Sequence, residues 1–159
     1  MSIDPAFAAH EKADWSVIEV WLTKREVCYL LDIVRVREEY PKLVRRIDGL
    51  IERLRPNQVI VEGIGGGLPL FQELHSNHGL IVGRFSKLED KVVRMETEAL
   101  AIEQGHVYIP AAHEWLETFR DEVVSFPMGQ HDDQIDSMSQ FLRWRRLNLR
   151  RIQHGPFRY

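Results

Sequence analysis

The chain has 159 residues, 44% of them apolar and 28% charged, with a formal net charge of -3 at pH 7. That is material for one ordinary hydrophobic core, and no global basic surplus announces a nucleic-acid binder. No apolar run of 18 residues and no basic-then-apolar leader occur, so a helical membrane protein is excluded and a soluble intracellular protein is expected.

The opening "SIDPAF" carries Asp4 ahead of Pro5, which pushes it toward an extended conformation, and Asp14 stands where the first long strand begins. The runs "WSVIEVWL" (Trp15 to Leu22) and "EVCYLLDIV" (Glu26 to Val34) are rich in β-branched and aromatic residues and predict a hairpin. Cys28 is the single cysteine, has no intrachain partner, and reads as a small buried hydrophobe. Leu43, Ile47, Leu50, Ile51 and Leu54 recur at spacings of three and four, with Pro41 near the start and Pro56 just past the end, and predict a helix. "QVIVEG" (Gln58 to Gly63) predicts a buried strand ending near Glu62. The glycine-rich "GIGGG" then leads into a helix but lacks the lysine and hydroxyl of a phosphate-binding P-loop.

"GLIVGRF" (Gly79 to Phe85) predicts another strand, "KLEDKVVRMETEALAIEQG" a helix stopped by Gly105, and "HVYIP" a brief strand cut off by Pro110. "HEWLETFRDEVVSF" and a helix beginning near His131 complete the order. A hairpin followed by strands alternating with helices implies an α/β fold. Its mixed sheet would be antiparallel at the hairpin, parallel where helices make the crossovers, and flanked by helices. Charge is segregated at the end: Arg143, Arg145, Arg146, Arg150, Arg151 and Arg158 lie in a stretch without an acid. The expected division is a domain over 1–147 and a basic tail over 148–159.

Three aspartates, Asp132, Asp133 and Asp136, crowd the start of the last helix. Like charges at that spacing repel. Either they complement the helix macrodipole and cap free N–H groups, or they hold a hard dication, which takes carboxylate oxygens, water and phosphate. The second reading needs acids from elsewhere, and Glu62 at a strand end and Asp4 are the candidates. An acid in a largely apolar strand terminus is costly to desolvate without a partner.

The ordered set "SIDPAF…DWSV", "YLLDIVRVREEYPKL", "VIVEG…GGGLPLFQEL", "EDKVVRMETEALAIEQGHVYIP" and "FPMGQHDDQIDSMSQFLRW" resembles the C-terminal nuclease domain of the large terminase subunit of tailed phages and prophages. The resemblance runs from about Asp4 to Trp144, and "HDDQIDSMSQ" is its most specific part. It implies an RNase H-like fold that cuts double-stranded DNA during genome packaging in the bacterial host cytoplasm, with acids holding Mg²⁺ or Mn²⁺. By position it implies that Asp4, Glu62 and Asp133 are catalytic and bind metal. Asp132 is a further metal ligand, Asp14 an auxiliary, and Asp136 an ordinary first-turn aspartate. The partners it implies are double-stranded DNA, a terminase ATPase domain, the portal protein and the small terminase, with no membrane. Only Met1 to Ile3 precede Asp4, so a truncated first strand with a poorly held acid is expected. No G-x-x-x-x-G-K-[ST] occurs, so the chain is expected to be an excised domain or a shortened gene product.

Phosphodiester hydrolysis needs an activated water, an in-line leaving oxygen and neutralised charge, which two cations about 3.5–4 Å apart supply together when DNA is bound. A duplex must also be held beside this acidic site, and phosphate neutralisation dominates such affinity. Lys87, Lys91 and Arg94 flank one helix start; Lys91 and Arg94, with Arg145 and Arg146 from the arginine-rich end, are the expected backbone contacts. His131 stands to help position the site. The alternatives are another RNase H-like nuclease such as a junction resolvase, and a non-catalytic module docking on DNA or portal protein.

Overall fold

A computed structural model describes residues 1–7, 14–63, 67–85 and 90–154, the side chains of 80, 84–85 and 150–154 aside. Residues 8–13, 64–66, 86–89 (Lys87 among them) and 155–159 lie outside the described residues. The first three strands are β1 (Ser2–Asp4), β2 (Ser16–Lys24) and β3 (Val27–Val36), the last two forming the expected hairpin. Helix α1 (Tyr40–Leu54) carries proline in its first turn, buries Leu43, Val44, Ile47, Leu50 and Ile51, and ends at Arg55 in the left-handed conformation. Then follow β4 (Val59–Glu62), α2 (Gly67–His78), β5 (Val82–Phe85), α3 (Lys91–Glu103), β6 (Val107–Tyr108), α4 (Leu116–Ser125) and α5 (Asp133–His154). The strand predicted from Gly79 begins only at Val82, because Gly79, at φ 66°, starts a short 3-10 turn over Gly79–Ile81. Helix α5 runs on through position 148, so the basic segment starts as helix.

The six strands lie in the order β5-β4-β1-β2-β3-β6. β1 pairs antiparallel with β2 and parallel with β4; β4–β5 and β3–β6 are also parallel. This is the expected mixed sheet, and β1 sits where strand direction switches. Although β1 has only three residues, it is bonded on both sides, with Asp4 opposite Val17 and Ile3 opposite Val61. The short strand is therefore firmly held, which corrects the expectation of a poorly held acid.

Side chains alternate across the sheet with a period of two. Ile3, Ile18, Val59 and Val61 face α1 and α2 and close one core. Val17 and Ile60 face the other way and pack in a second core with Phe119 of α4 and Ile135, Met138, Phe141 and Leu142 of α5. Cys28 is fully buried there, as read, and burial pushes its thiol up to about 11. Trp21, Trp115 and Trp144 pack as partly buried anchors of the same core. Among the described residues no helix is long and apolar enough to cross a membrane.

Candidate active site

The strand period decides where the acids point. Ser2 faces α5, its hydroxyl donating to the Ser137 carbonyl at 2.9 Å, so Asp4, two residues on, leaves the same side of β1. Ile60 packs on α5, so Glu62 leaves that side of β4. Parallel pairing of Ile3 with Val61 sets both carboxylates at the same end of adjacent strands. Asp133 opens α5 beside them. A cleft of about 360 Å³ results, lined by Asp4, Asp14, Glu62, Asp132, Asp133 and Asp136, with Pro5, Ala6 and Trp15 in its walls.

Three devices hold these groups. The Ser16 hydroxyl donates to the Ala6 carbonyl at 2.6 Å and accepts from the Ala6 amide at 3.0 Å, fixing the turn after Asp4. A Cβ added at Gly67 would lie 2.0 Å from the Glu62 carbonyl oxygen, so only glycine lets α2 start this close to the end of β4. Glu122 of α4 caps α5: its Oε1 accepts the amides of Gln134 at 2.6 Å and Ile135 at 3.1 Å, and its Oε2 accepts the Gln134 side-chain amide at 2.7 Å. The capping role open to the aspartates is thus taken, at these two amides, by a residue from another helix.

Burial, then the charges of Glu122, Asp4 and Asp14, push Asp133 up to about 6; a hydrogen bond with the Trp15 backbone offsets part of this. Its Oδ2 is buried and accepts no hydrogen bond. The nitrogens facing it stand further off, His131 Nδ1 at 3.8 Å and the Arg35 guanidinium at 4.0 Å. Arg35 also reaches Glu122 at 3.7 Å. Among the described residues no three His, Cys, Asp or Glu side chains are already gathered around a common ion position. Asp132 is drawn to Lys91 and Asp136 to Arg94 instead. The donor chemistry still fits a hard dication, since the cleft offers carboxylate oxygens and one of them, on Asp133, is buried without a donor.

The expected DNA contacts fare unequally. Arg94 is 2% exposed, donates through Nε to the Ser139 hydroxyl at 2.8 Å and pairs with Asp136, while Arg145 is 3% exposed and donates to the Glu26 carbonyl. Arg145 is held inside the protein, which corrects its reading as a backbone contact, whereas Arg94 lines the cleft with its guanidinium engaged by Asp136. Arg146 is half-exposed and paired with buried Glu98 at 2.9 Å, and Lys91 is half-exposed on Asp132. Together Lys91, Arg94 and Glu98 form one stripe of α3 stitched to α5.

Sequence reasoning did not find Glu122, Arg35 or Glu19. Glu19 lies fully buried on β2 opposite Ser2, its carboxylate accepting from the Trp21 indole at 2.9 Å, and burial pushes it up to about 8. A signal existed only for Arg35, whose spacing from Arg37 in "VRVRE" puts both on one side; both guanidiniums lie over the Trp15 ring, at 4.5 and 3.9 Å from its centroid.

A family model described as "Terminase RNaseH-like domain" matches residues 1–143. Among solved structures, the fold is similar to that of the large terminase nuclease from thermophilic phage G20c, crystallised with bound zinc. The two share 22% identity with a TM-score of 0.68, over 87% of this chain and 76% of that one. No curated protein matches.

Proposed function

We propose, because this chain belongs to the terminase RNaseH-like domain family, that its cleft hydrolyses phosphodiester bonds of double-stranded DNA during phage genome packaging, as a divalent-metal-dependent endonuclease. The observation that carries the reading is the meeting of Asp4, Glu62 and Asp133, from two strands and a helix, in one cleft, with helix capping supplied by Glu122.

Asp4, Glu62 and Asp133, with Asp132 beside them, would hold Mg²⁺ or Mn²⁺, two ions once DNA is bound, which supply activation of water and neutralisation of the phosphate charge. Bound zinc in the solved relative supports a divalent cation here. The chain's own contribution is placement. Adjacent strands set Asp4 and Glu62 side by side, and the buried Asp133 oxygen has a cation to gain. Asp14 and His131 act as auxiliaries, His131 by its proximity to Asp133. By family, the further partners are the ATPase domain, portal protein and small terminase, in the host cytoplasm.

Plasmid nicking and linearisation with Mg²⁺ or Mn²⁺ tests this. Wild type should cut and both Asp133→Ala and Glu62→Ala should lose at least a hundredfold in rate, on the order of what one electrostatic catalytic group contributes. Equal cutting by wild type and both variants would remove the site.

A further inference from the structure

The acidic cleft repels the polyanion it is proposed to cut, and its own cations, Lys91 and Arg94, are engaged by Asp132 and Asp136. Cations outside it must hold the duplex. Beyond Trp15 the surface changes sign. The Trp15 ring lines the cleft, Arg37 lies over that ring, and Arg37 also lines a second depression of about 360 Å³ shared with Lys42 and Arg45. The two hollows are therefore joined through one cation–π pair.

We propose that this ledge of Arg37, Lys42 and Arg45 binds the sugar-phosphate backbone of duplex DNA beside the cleft, an inference that rests on the nuclease reading above. Two acids, Glu38 and Glu39, share the depression. Glu38 is held by Arg46 at 2.6 and 2.9 Å and by Lys42 at 3.1 Å, and these cations keep its carboxyl down to about 2. Its charge is spent within the protein. With Arg46 included, four cations face two carboxylates, which leaves the ledge positive. Arg45 is exposed on the first turns of α1, and Lys42, though paired with Glu38, keeps its side chain 65% exposed beside it. Backbone contact of this kind carries no base information, so the ledge positions the duplex without choosing its sequence.

Fluorescence anisotropy of a labelled mixed-sequence duplex, in EDTA so that no cleavage occurs, tests the ledge. Arg37→Ala and Arg45→Ala should each weaken binding about fivefold near physiological salt and lower the slope of log K against log salt by about 0.9. Glu39→Lys, which adds a cation on the same exposed rim, should strengthen it. If all three variants bind as wild type with an unchanged slope while wild type binds duplex and nicks plasmid, the ledge is overturned and the nuclease reading stands. If wild type neither binds duplex nor nicks plasmid, the nuclease reading fails and the ledge with it.

Discussion

Glu122 of α4 accepts the amide of Gln134 at 2.6 Å, so that a backbone donor in the first turn of α5 is satisfied from another helix. The contact is buried, and the same carboxylate serves Ile135 and the Gln134 side chain. Removing it strands several buried donors. Glu122→Ala should cost about 2–4 kcal/mol of stability. Asp132→Ala, which loses one half-exposed ion pair, should cost less than about 1 kcal/mol. Urea denaturation of both variants checks this, and a loss for Asp132→Ala equal to that of Glu122→Ala would return the capping role to the aspartates.

Arg94 tests whether the α3 stripe is structural. It is buried against Ser139 and Asp136, so Arg94→Ala leaves a carboxylate without its close cation inside the α3–α5 contact. Breaking such a pair from one side should cost about 3–5 kcal/mol. Lys91→Ala should cost less than about 1 kcal/mol, because its head is half in solvent. Equal small effects in thermal and chemical denaturation would mean that Arg94 is free to turn outward.

The hairpin and α1 were legible because their apolar residues repeat with periods of two and of three to four, and a local period reports a local element. Glu62 stood out because an acid at the end of an apolar run is expensive without a partner, and the aspartates at 132, 133 and 136 because like charges crowd a helix start; the choice of Asp4, Glu62 and Asp133 as a set came from the family resemblance. Glu122 was not, since its partners lie twelve and thirteen residues away on another helix and no spacing within "RDEVV" distinguishes a buried cap from a solvated acid. Arg145 was misread, and the engagement of Arg94 by Asp136 and Ser139 was missed, for the same reason. A cation paired inside a helix contact and one solvated on a helix face have the same sequence signature, and only the packing of α3 on α5 separates them.

Glu19 makes stability depend on pH. Burial holds its proton up to about pH 8, whereas the unfolded chain releases it near the ordinary 4.5. The folded state therefore binds more protons than the unfolded state across that window, and this group lowers stability progressively as pH rises from about 4.5 to 8. Asp133, pushed up to about 6, acts with the same sign over the lower part of it. Glu19→Gln keeps an acceptor for the Trp21 indole and removes the titration. The variant should match wild type near pH 4.5 and exceed it at pH 8 in urea midpoint. A constant difference between the two from pH 4.5 to 8 would show that Glu19 is ionised in the fold.

Gly67 links the backbone to the chemistry. Any side chain there meets the Glu62 carbonyl oxygen, with the first added carbon at 2.0 Å, far inside contact distance. The collision is with main chain on a strand paired on both sides, so a rotamer change cannot relieve it; α2 or the end of β4 must move. Overpacking of this kind costs about 1–3 kcal/mol, and the displaced end of β4 carries Glu62. Gly67→Ala should therefore lose plasmid cleavage out of proportion to its stability. The comparison that isolates geometry is with Gly49→Ala on α1, where an added Cβ meets nothing within 4 Å. Gly49→Ala should cut as wild type does and be slightly more stable, by roughly 0.5–1 kcal/mol, from helix propensity. Cleavage by Gly67→Ala at the wild-type rate, under conditions where it is folded, would mean that Glu62 need not be held where α2 now pins it.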